Sequence, residues 1–160
     1  MWKQIPEYEN YAVNEYGDVK NVNTNYLMAT DINSAGYERV QVRKDGKSKK
    51  LFRHRLVAQN FLDNPNNYKE VNHIDGDKHN NHVSNLEWCD RVHNERECRR
   101  KGLKEYKPFK VIYVDGTQEE YEFTTELAYK VGVTRRTIVN WLQKRNHGYL
   151  NHGIIEIEYL

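Results

Sequence analysis

The chain has 160 residues and a net charge of +2, which allows one ordinary domain or two small ones. A hydrophobic share of 38% is low for a compact domain and predicts small modules with thin cores. No apolar run reaches the roughly 18 to 20 residues that a membrane helix needs, and the N-terminal residues do not resemble a signal peptide, so we expect a cytoplasmic protein. Cys89 and Cys98 form no CxxC pair, which excludes a disulfide framework and a four-thiolate zinc site.

The first elements along the chain are predicted to be strands. "YAVNEYGDVKNV" contains two short apolar segments around a turn at Gly17. In residues 39–43 basic or polar side chains alternate with valines, and "KDGK" predicts a hairpin turn. This pattern predicts a sheet with one apolar face and one basic face. A short helix should follow from Arg53 to Phe61.

The middle of the chain contains the polar stretch "VNHIDGDKHNNHVSNLEW", with three of the seven histidines. We expect two short extended pieces there, with Ile74 and Leu86 as inward-facing anchors. "CDRVHNERECRRKGL" predicts a helix that ends at Gly102, and "KEYKPFK" is typical of a linker because Pro108 and charge interrupt the apolar pattern.

The last third is predicted to form a strand hairpin and two short helices. Apolar and polar residues alternate in "KVIYVDGTQEEYEF", with "DG" as the turn. In "TTELAYKVGVTRRTIVNWLQKR" two amphipathic segments flank Gly132, and Thr134 can cap the second one. This arrangement is similar to a helix-turn-helix. "GIIEIEYL" alternates like a closing strand.

Charge is distributed unevenly along the chain. Residues 39–55 hold eight Lys or Arg and the single acid Asp45, whereas residues 115–126 hold five acids and no base. Basic clustering of this kind is what a surface that binds a polyanion requires, although a solvated basic hairpin has the same composition.

The residue types in the polar stretch are suited to phosphodiester hydrolysis. A neutral imidazole at His73 can take a proton from water near pH 7. Asn72, and Asn94 on the following helix, offer oxygen donors suited to Mg²⁺ or Mn²⁺. The competing interpretation is a polar turn with no catalytic role, because Asn and Asp are frequent in turns for backbone reasons.

This stretch, followed by "VHNERE", resembles the HNH endonucleases, most closely the free-standing and intron-encoded homing endonucleases of bacteriophages. The N-terminal "WKQIPEYENYAVNEYGDVKN" is similar to the NUMOD4-like module that often precedes this nuclease core, and a helix-turn-helix repeat often follows it. The resemblance implies an elongated, modular α+β protein: an antiparallel β-sheet module at residues 1–52, a ββα-metal core at 53–104, and a linker with a helix-turn-helix module at 105–160.

The resemblance also assigns roles in the site. His73 matches the general base, Asn72 and Asn94 match the ligand positions of one Mg²⁺ or Mn²⁺ ion, and Asn85 matches the asparagine that steadies the loop and the base. Many relatives carry Asp or His at the position of Asn72 and often His at that of Asn94. Asp75 or His79 could assist the metal, but we expect the turn to aim both outward.

The remaining conspicuous side chains have structural interpretations. We expect His79 and His82 to be solvated or close to phosphate, Trp88 to lie in the core, and His54 to serve in packing.

Sequence discrimination is expected from the flanking modules. The candidate DNA contacts on the basic sheet are Arg39, Gln41, Arg43, Lys47, Lys49, Lys50 and Arg53. Those at the start of the second helix of the helix-turn-helix are Arg135, Arg136, Thr137 and Asn140. The alternatives are a basic face that raises only general affinity and a helical cap with solvated arginines.

The sequence thus predicts a site-specific, metal-dependent endonuclease of homing type, acting as a monomer on double-stranded DNA in a phage-infected bacterium, without a membrane partner. A single nuclease centre favours a nick in one strand. The runner-up is a DNA-binding regulator derived from a decayed nuclease, for which Asn72 leaves room. An RNA-binding protein is a weaker third choice, because a helix-turn-helix suits the major groove of a duplex.

Overall fold

The chain adopts an α+β fold of short antiparallel sheets and helices, as the sequence predicted. The computed structural model describes residues 1–103, 107–144 and 147–160. These residues divide into two compact units, Met1–Asp90 and Arg91–Leu160. The predicted linker "KEYKPFK" falls partly on residues 104–106, which lie outside the described residues.

The first unit begins with two three-stranded antiparallel sheets. The first sheet has the order β1-β2-β3, with β1 at Trp2–Ile5, β2 at Tyr8–Asn14 and β3 at Val19–Asn21. The second has the order β4-β5-β6, with β4 at Thr30–Ile32, β5 at Glu38–Lys44 and β6 at Lys47–Phe52. Asp45 and Gly46 both have positive φ, 50° and 73°, which is the requirement of the predicted two-residue hairpin turn.

Helix α1 follows at Arg53–Phe61, with the predicted bounds. A ribbon of two antiparallel strands comes next, β7 at Glu70–His73 and β8 at Leu86–Cys89, and a short 3-10 helix at Val83–Asn85 leads into β8. The core of this unit takes side chains from both sheets, from α1 and from the ribbon: Val13, Val19, Val40, Val42, Leu56, Val57 and Leu86 are among them. The predicted boundary between residues 52 and 53 therefore falls within one shared core.

Of the two predicted anchors of the ribbon, only Leu86 is correct. Leu86 is 4% exposed, whereas Ile74 is 47% exposed. Strand β7 ends at His73, so Ile74 lies in the following turn, where the alternation of inward and outward side chains no longer applies.

Among its described residues the second unit contains three α-helices, a short 3-10 helix at Gly148–His152 and one sheet. Helix α2 spans Arg91–Arg100, and Gly102 follows it with φ 66°. The antiparallel sheet has the order β10-β9-β11, with β9 at Phe109–Tyr113, β10 at Gln118–Tyr121 and β11 at Ile154–Tyr159. Helix α3 at Thr124–Val131 and helix α4 at Arg135–Leu142 pack on a core that includes Phe109, Val111, Leu127, Ile138, Trp141 and Ile154.

The turn between α3 and α4 has the predicted chemistry. Gly132 ends α3 in the left-handed conformation, with φ 71°. Thr134 caps α4, since its Oγ1 accepts a hydrogen bond from the backbone N–H of Thr137 at 3.2 Å. Two short helices about Gly132 are thus confirmed, while their use as a DNA-binding helix-turn-helix stays a prediction. None of the described helices is long and apolar enough to cross a membrane.

Candidate active site

The β7-β8 ribbon carries the two adjacent residues that the sequence singled out. Asn72 pairs with Glu87 across the ribbon, and His73 pairs with Leu86. Neighbouring residues of a strand point to opposite faces. The contacts agree with this rule, because Asn72 contacts Glu87 whereas His73 meets Asn81.

His73 is a buried imidazole at the end of β7. It is 5% exposed, and its Nε2 lies 3.2 Å from Oδ1 of Asn81. The ring of His54 lies 5.1 Å away, measured between ring centroids. Burial lowers the pKa of His73 and outweighs the hydrogen bond with Asn81, which acts in the opposite direction. The imidazole is therefore neutral near pH 7, the form that accepts a proton.

Asn81 connects His73 to the N-terminal part of the chain. It is 2% exposed, and its Nδ2 donates to Oε2 of Glu38 at 2.8 Å. The same oxygen accepts from Nη1 of Arg53 at 2.9 Å. Sequence reasoning missed Asn81 and Glu38 as site residues. The polar composition around Asn81 was visible, but nothing in the sequence pairs it with a carboxylate 43 residues away.

Asn85 joins the two ends of the loop between the ribbon strands. Its Nδ2 donates to Oδ1 of Asp75 at 2.9 Å and to the carbonyl of Asn80 at 2.8 Å, and its Oδ1 accepts from the backbone N–H of Asp75 at 3.0 Å. Although burial acts to raise it, the pKa of Asp75 is lowered by hydrogen bonds from Asn80 and Asn85. These contacts suit the bracing role predicted for Asn85 and engage the carboxylate of Asp75 inside the loop.

Amide oxygens are the atoms at this site that suit a metal ion. Asn72 is 7% exposed, and its Nδ2 donates to Oε1 of Glu87 at 2.7 Å. Because the NH₂ group faces that carboxylate, Oδ1 is turned away from it and is the atom that could ligate a cation. The described residues contain no group of three or more His, Cys, Asp or Glu that could hold a metal. Asn94, the second predicted ligand, lies on α2 in the second unit, and its role stays a prediction.

The other histidines of the first unit occupy structural or exposed positions. His54 is 6% exposed and packs against the rings of Tyr37 and Phe52, as predicted. The side chain of His79 is about half exposed and lies 3.4 Å from Glu38. His82 caps the 3-10 helix, since its Nδ1 accepts from the backbone N–H of Ser84 at 3.3 Å.

The register of β5 and β6 divides the predicted basic face. Gln41 pairs with Lys50, so these side chains lie on the same face as Arg39 and Arg43. Lys49 pairs with the buried Val42, and Lys47 pairs with Lys44, which places both on the opposite face. The expectation of one face holding all these residues was therefore wrong. The two-residue turn fixes the pairing, and a side chain shares the face of its cross-strand partner.

Some of the predicted DNA contacts already have partners inside the protein. Arg39 and Lys50 bind Oδ2 of Asp31 at 2.6 and 2.8 Å, while Gln41 and Arg43 are exposed. The side chain of Arg53 is 13% exposed and also binds Asp18 at 2.6 Å, so any role in DNA binding stays a prediction.

Three of the four candidates on α4, Arg135, Arg136 and Thr137, lie in its first turn, and Asn140 lies about one turn further on. Arg135 and Arg136 are exposed, and Thr137 and Asn140 are half-buried. Thr137 takes part in the helix cap, as described above. Arg135 donates from Nε to Oγ1 of Thr124 at 3.2 Å, which ties it to the start of α3.

Comparison with known proteins identifies the class. The family model described as "NUMOD4 motif" matches residues 1–43. "DNA endonuclease I-HmuI" of Bacillus phage SP01 is 32% identical over 155 residues, covering 89% of each chain. "Uncharacterized HNH endonuclease L245" of Acanthamoeba polyphaga mimivirus is 34% identical over 133 residues, covering 81% of this chain.

A solved structure matches the whole fold. The structure described as "DNA binding and cleavage by the HNH homing endonuclease I-HmuI" has a TM-score of 0.61 and 29% identity, covering 100% of this chain and 98% of that chain. The α+β fold, the ribbon that carries His73 and the similarity to these relatives together identify the class of this protein as a nuclease. The chain belongs to the HNH homing endonuclease family. It spans only 40% and 36% of the length of two mimivirus relatives.

Proposed function

We propose that this protein is a homing-type DNA endonuclease that hydrolyses one phosphodiester bond of double-stranded DNA with the help of one divalent cation. The observation that carries the proposal is the buried, neutral His73, held by Asn81 at the end of β7 in a chain of the HNH family.

His73 acts as the general base in this proposal. It takes a proton from water while the water oxygen forms a bond to phosphorus and the bond from phosphorus to the 3′ oxygen breaks. The leaving 3′ oxygen takes a proton from solvent, so the products are a 5′ phosphate and a 3′ hydroxyl, and His73 returns its proton to solvent. Burial supports this role, because the lowered pKa keeps the imidazole unprotonated near pH 7. Asn85 contributes indirectly by bracing the loop that carries Asn81.

One Mg²⁺ or Mn²⁺ ion would supply charge neutralisation at the leaving 3′ oxygen. Asn72 and Asn94 match the two ligand positions of the family and are the proposed ligands. Amide oxygens suit these hard cations, although a neutral amide binds them less strongly than a carboxylate. At Asn72 the hydrogen bond to Glu87 fixes the amide and so holds Oδ1, the proposed ligand atom, in position.

DNA binding is assigned to the basic face of β5-β6 and to the start of α4. Gln41 and Arg43 are exposed on that face, and Arg135 and Arg136 are exposed on the helix. We assign α4 to base reading in the major groove, because the N-terminal residues of such a helix reach base edges. A single nuclease centre in a monomer predicts a nick in one strand.

The test is cleavage of supercoiled plasmids that carry fragments of phage and host genomic DNA, with Mg²⁺, with Mn²⁺ and with a chelator. We expect metal-dependent nicking that His73→Ala lowers at least about 100-fold, the lower range for loss of a general base. His82→Ala removes a neighbouring imidazole that contacts Ser84 and serves as the matched control. Sequence-specific binding without any cutting would instead identify a regulator derived from a decayed nuclease.

A further inference from the structure

We infer that Glu38 and Asn81 are positioning residues that set the tautomer of His73, placing the ring hydrogen on Nε2 and the lone pair on Nδ1. This inference rests on the proposed role of His73 as the general base. It adds that the N-terminal sheet, through Glu38 on β5, determines which ring nitrogen does the chemistry.

The first step concerns the direction of the Asn81 amide. The two ends of an amide side chain have nearly the same shape, so its neighbours decide which end faces which way. Glu38 lies 2.8 Å from Nδ2 of Asn81. Nη1 of Arg53 donates to the same Glu38 oxygen at 2.9 Å, and a guanidinium has donors only, so this oxygen acts as an acceptor. An ionised carboxylate only accepts hydrogen bonds, so the NH₂ group of Asn81 must face it.

The orientation of the Asn81 amide determines which ring nitrogen of His73 carries the hydrogen. With its NH₂ group on Glu38, Asn81 presents Oδ1 to His73, and an amide oxygen only accepts. The Nε2 of His73, 3.2 Å away, must then donate. A neutral imidazole carries one hydrogen, so Nδ1 holds the lone pair.

The packing around Asn81 keeps the amide in place. Asn81 is 2% exposed, and the Glu38 side chain is 17% exposed, so water competes weakly for these groups. Gly17 in the β2-β3 turn packs closely against Asn81, since a Cβ at Gly17 would lie 3.1 Å from Cβ of Asn81. The carbonyl of Gly17 also accepts from Nε of Arg53 at 2.6 Å. The β2-β3 turn therefore contacts both Asn81 and Arg53, the arginine that binds Glu38.

The experiment measures the tautomer directly and separately from cleavage. The full chain is labelled with ¹⁵N at histidine, and long-range ¹H–¹⁵N correlation spectra identify which nitrogen of His73 carries the hydrogen. We expect the Nε2–H tautomer in the wild-type protein. Glu38→Ala should give a mixture of tautomers, because Asn81 loses the acceptor that holds its NH₂ group and Arg53 can then donate to the amide oxygen of Asn81 instead. Its kcat should fall about tenfold at unchanged KM.

Two further variants separate positioning from folding. Asp18→Asn removes the other carboxylate bound to Arg53, which lies 2.6 Å away, but leaves Glu38 in place, so it should keep the wild-type tautomer. Glu38→Ala combined with Asn81→Asp should restore the Nε2–H tautomer and part of kcat. The introduced carboxylate accepts with either oxygen and no longer depends on the charge of Glu38.

Each outcome of these measurements bears on either the tautomer assignment or the proposed role of His73. An Nδ1–H tautomer in the wild-type protein overturns the inference, and so does a Glu38→Ala spectrum that matches the wild type. The same tautomer change in Asp18→Asn would show a general effect of losing an ion pair and would also overturn it. If the tautomer changes as expected in Glu38→Ala but kcat does not, the tautomer assignment stands and the proposed role of His73 as the base fails.

Discussion

Acidification should destabilise the first unit because His54 is buried as a neutral imidazole. The side chain lies among the rings of Tyr37, Phe52 and His73, and among the described residues its Nδ1 has no hydrogen-bond partner. Burial lowers the pKa of His54 to about 3, and the charges of His73 and Arg55 act in the same direction. In the unfolded chain the same group titrates near its ordinary value of about 6.5.

The sign of the effect follows from proton binding. Between about pH 6.5 and about pH 3 the unfolded chain binds a proton at His54 that the folded chain excludes, so stability falls as the pH falls through this range. The contribution is fully present above about pH 6.5. At about 1.4 kcal/mol for each pH unit below that value, acidification from about pH 7.5 to about pH 5 should cost about 2 kcal/mol from this residue.

The assay is denaturant unfolding of the full chain at a series of pH values, with peptide-level hydrogen exchange in α1 reporting on the first unit. His54→Phe keeps an aromatic ring and should remove about 2 kcal/mol of the acid sensitivity in this interval. His79→Gln, at a half-exposed histidine, should unfold along the wild-type curve. An acid sensitivity that persists unchanged in His54→Phe would show that buried His54 is not its source.

Three further predictions concern the site and the DNA surface. Asn72→Asp should tighten Mn²⁺ binding about tenfold by calorimetry and destabilise the metal-free protein, because it sets a second carboxylate beside Glu87; weaker binding would contradict the ligand assignment. Asn85→Ala should cost about 1–3 kcal/mol of stability and lower cleavage, since three hydrogen bonds disappear; an unaltered urea midpoint would exclude the brace. Arg43→Ala should reduce the slope of log K against log salt by about 1, and an unchanged slope would remove it from the phosphate contacts.

The sequence predicted the local elements because short-range rules determine them. The nearly helical spacing of Leu56, Val57, Phe61 and Leu62 predicted α1, and Asp45-Gly46 supplied the left-handed conformations that the hairpin turn needs. The same turn also determines that Val42 faces Lys49, so the division of the basic residues between two faces follows from the register. The prediction of a single basic face treated each strand separately and did not include the pairing of β5 with β6.

The contacts that shape the site depend on tertiary structure. Asn81 is one of several asparagines in a polar loop, and its sequence position does not distinguish a buried link from a solvated turn residue. Its partner Glu38 lies on another sheet. Arg53 belongs to a basic segment that predicts DNA contacts, although its side chain is only 13% exposed. These contacts form only when the sheets, α1 and the loop pack together. The periodicity of the sequence does not predict that packing.

Mapping of DNA ends tests the proposal that His73 is the general base of a metal-dependent endonuclease. Phage and host genomic DNA is treated with wild-type protein or His73→Ala in the presence of Mn²⁺, and all new ends are sequenced. The account predicts ends at one recurrent sequence, with a 5′ phosphate and a 3′ hydroxyl, in the wild-type reaction and almost none with the variant. Equal numbers of ends from both proteins, or none from the wild-type protein, would contradict it.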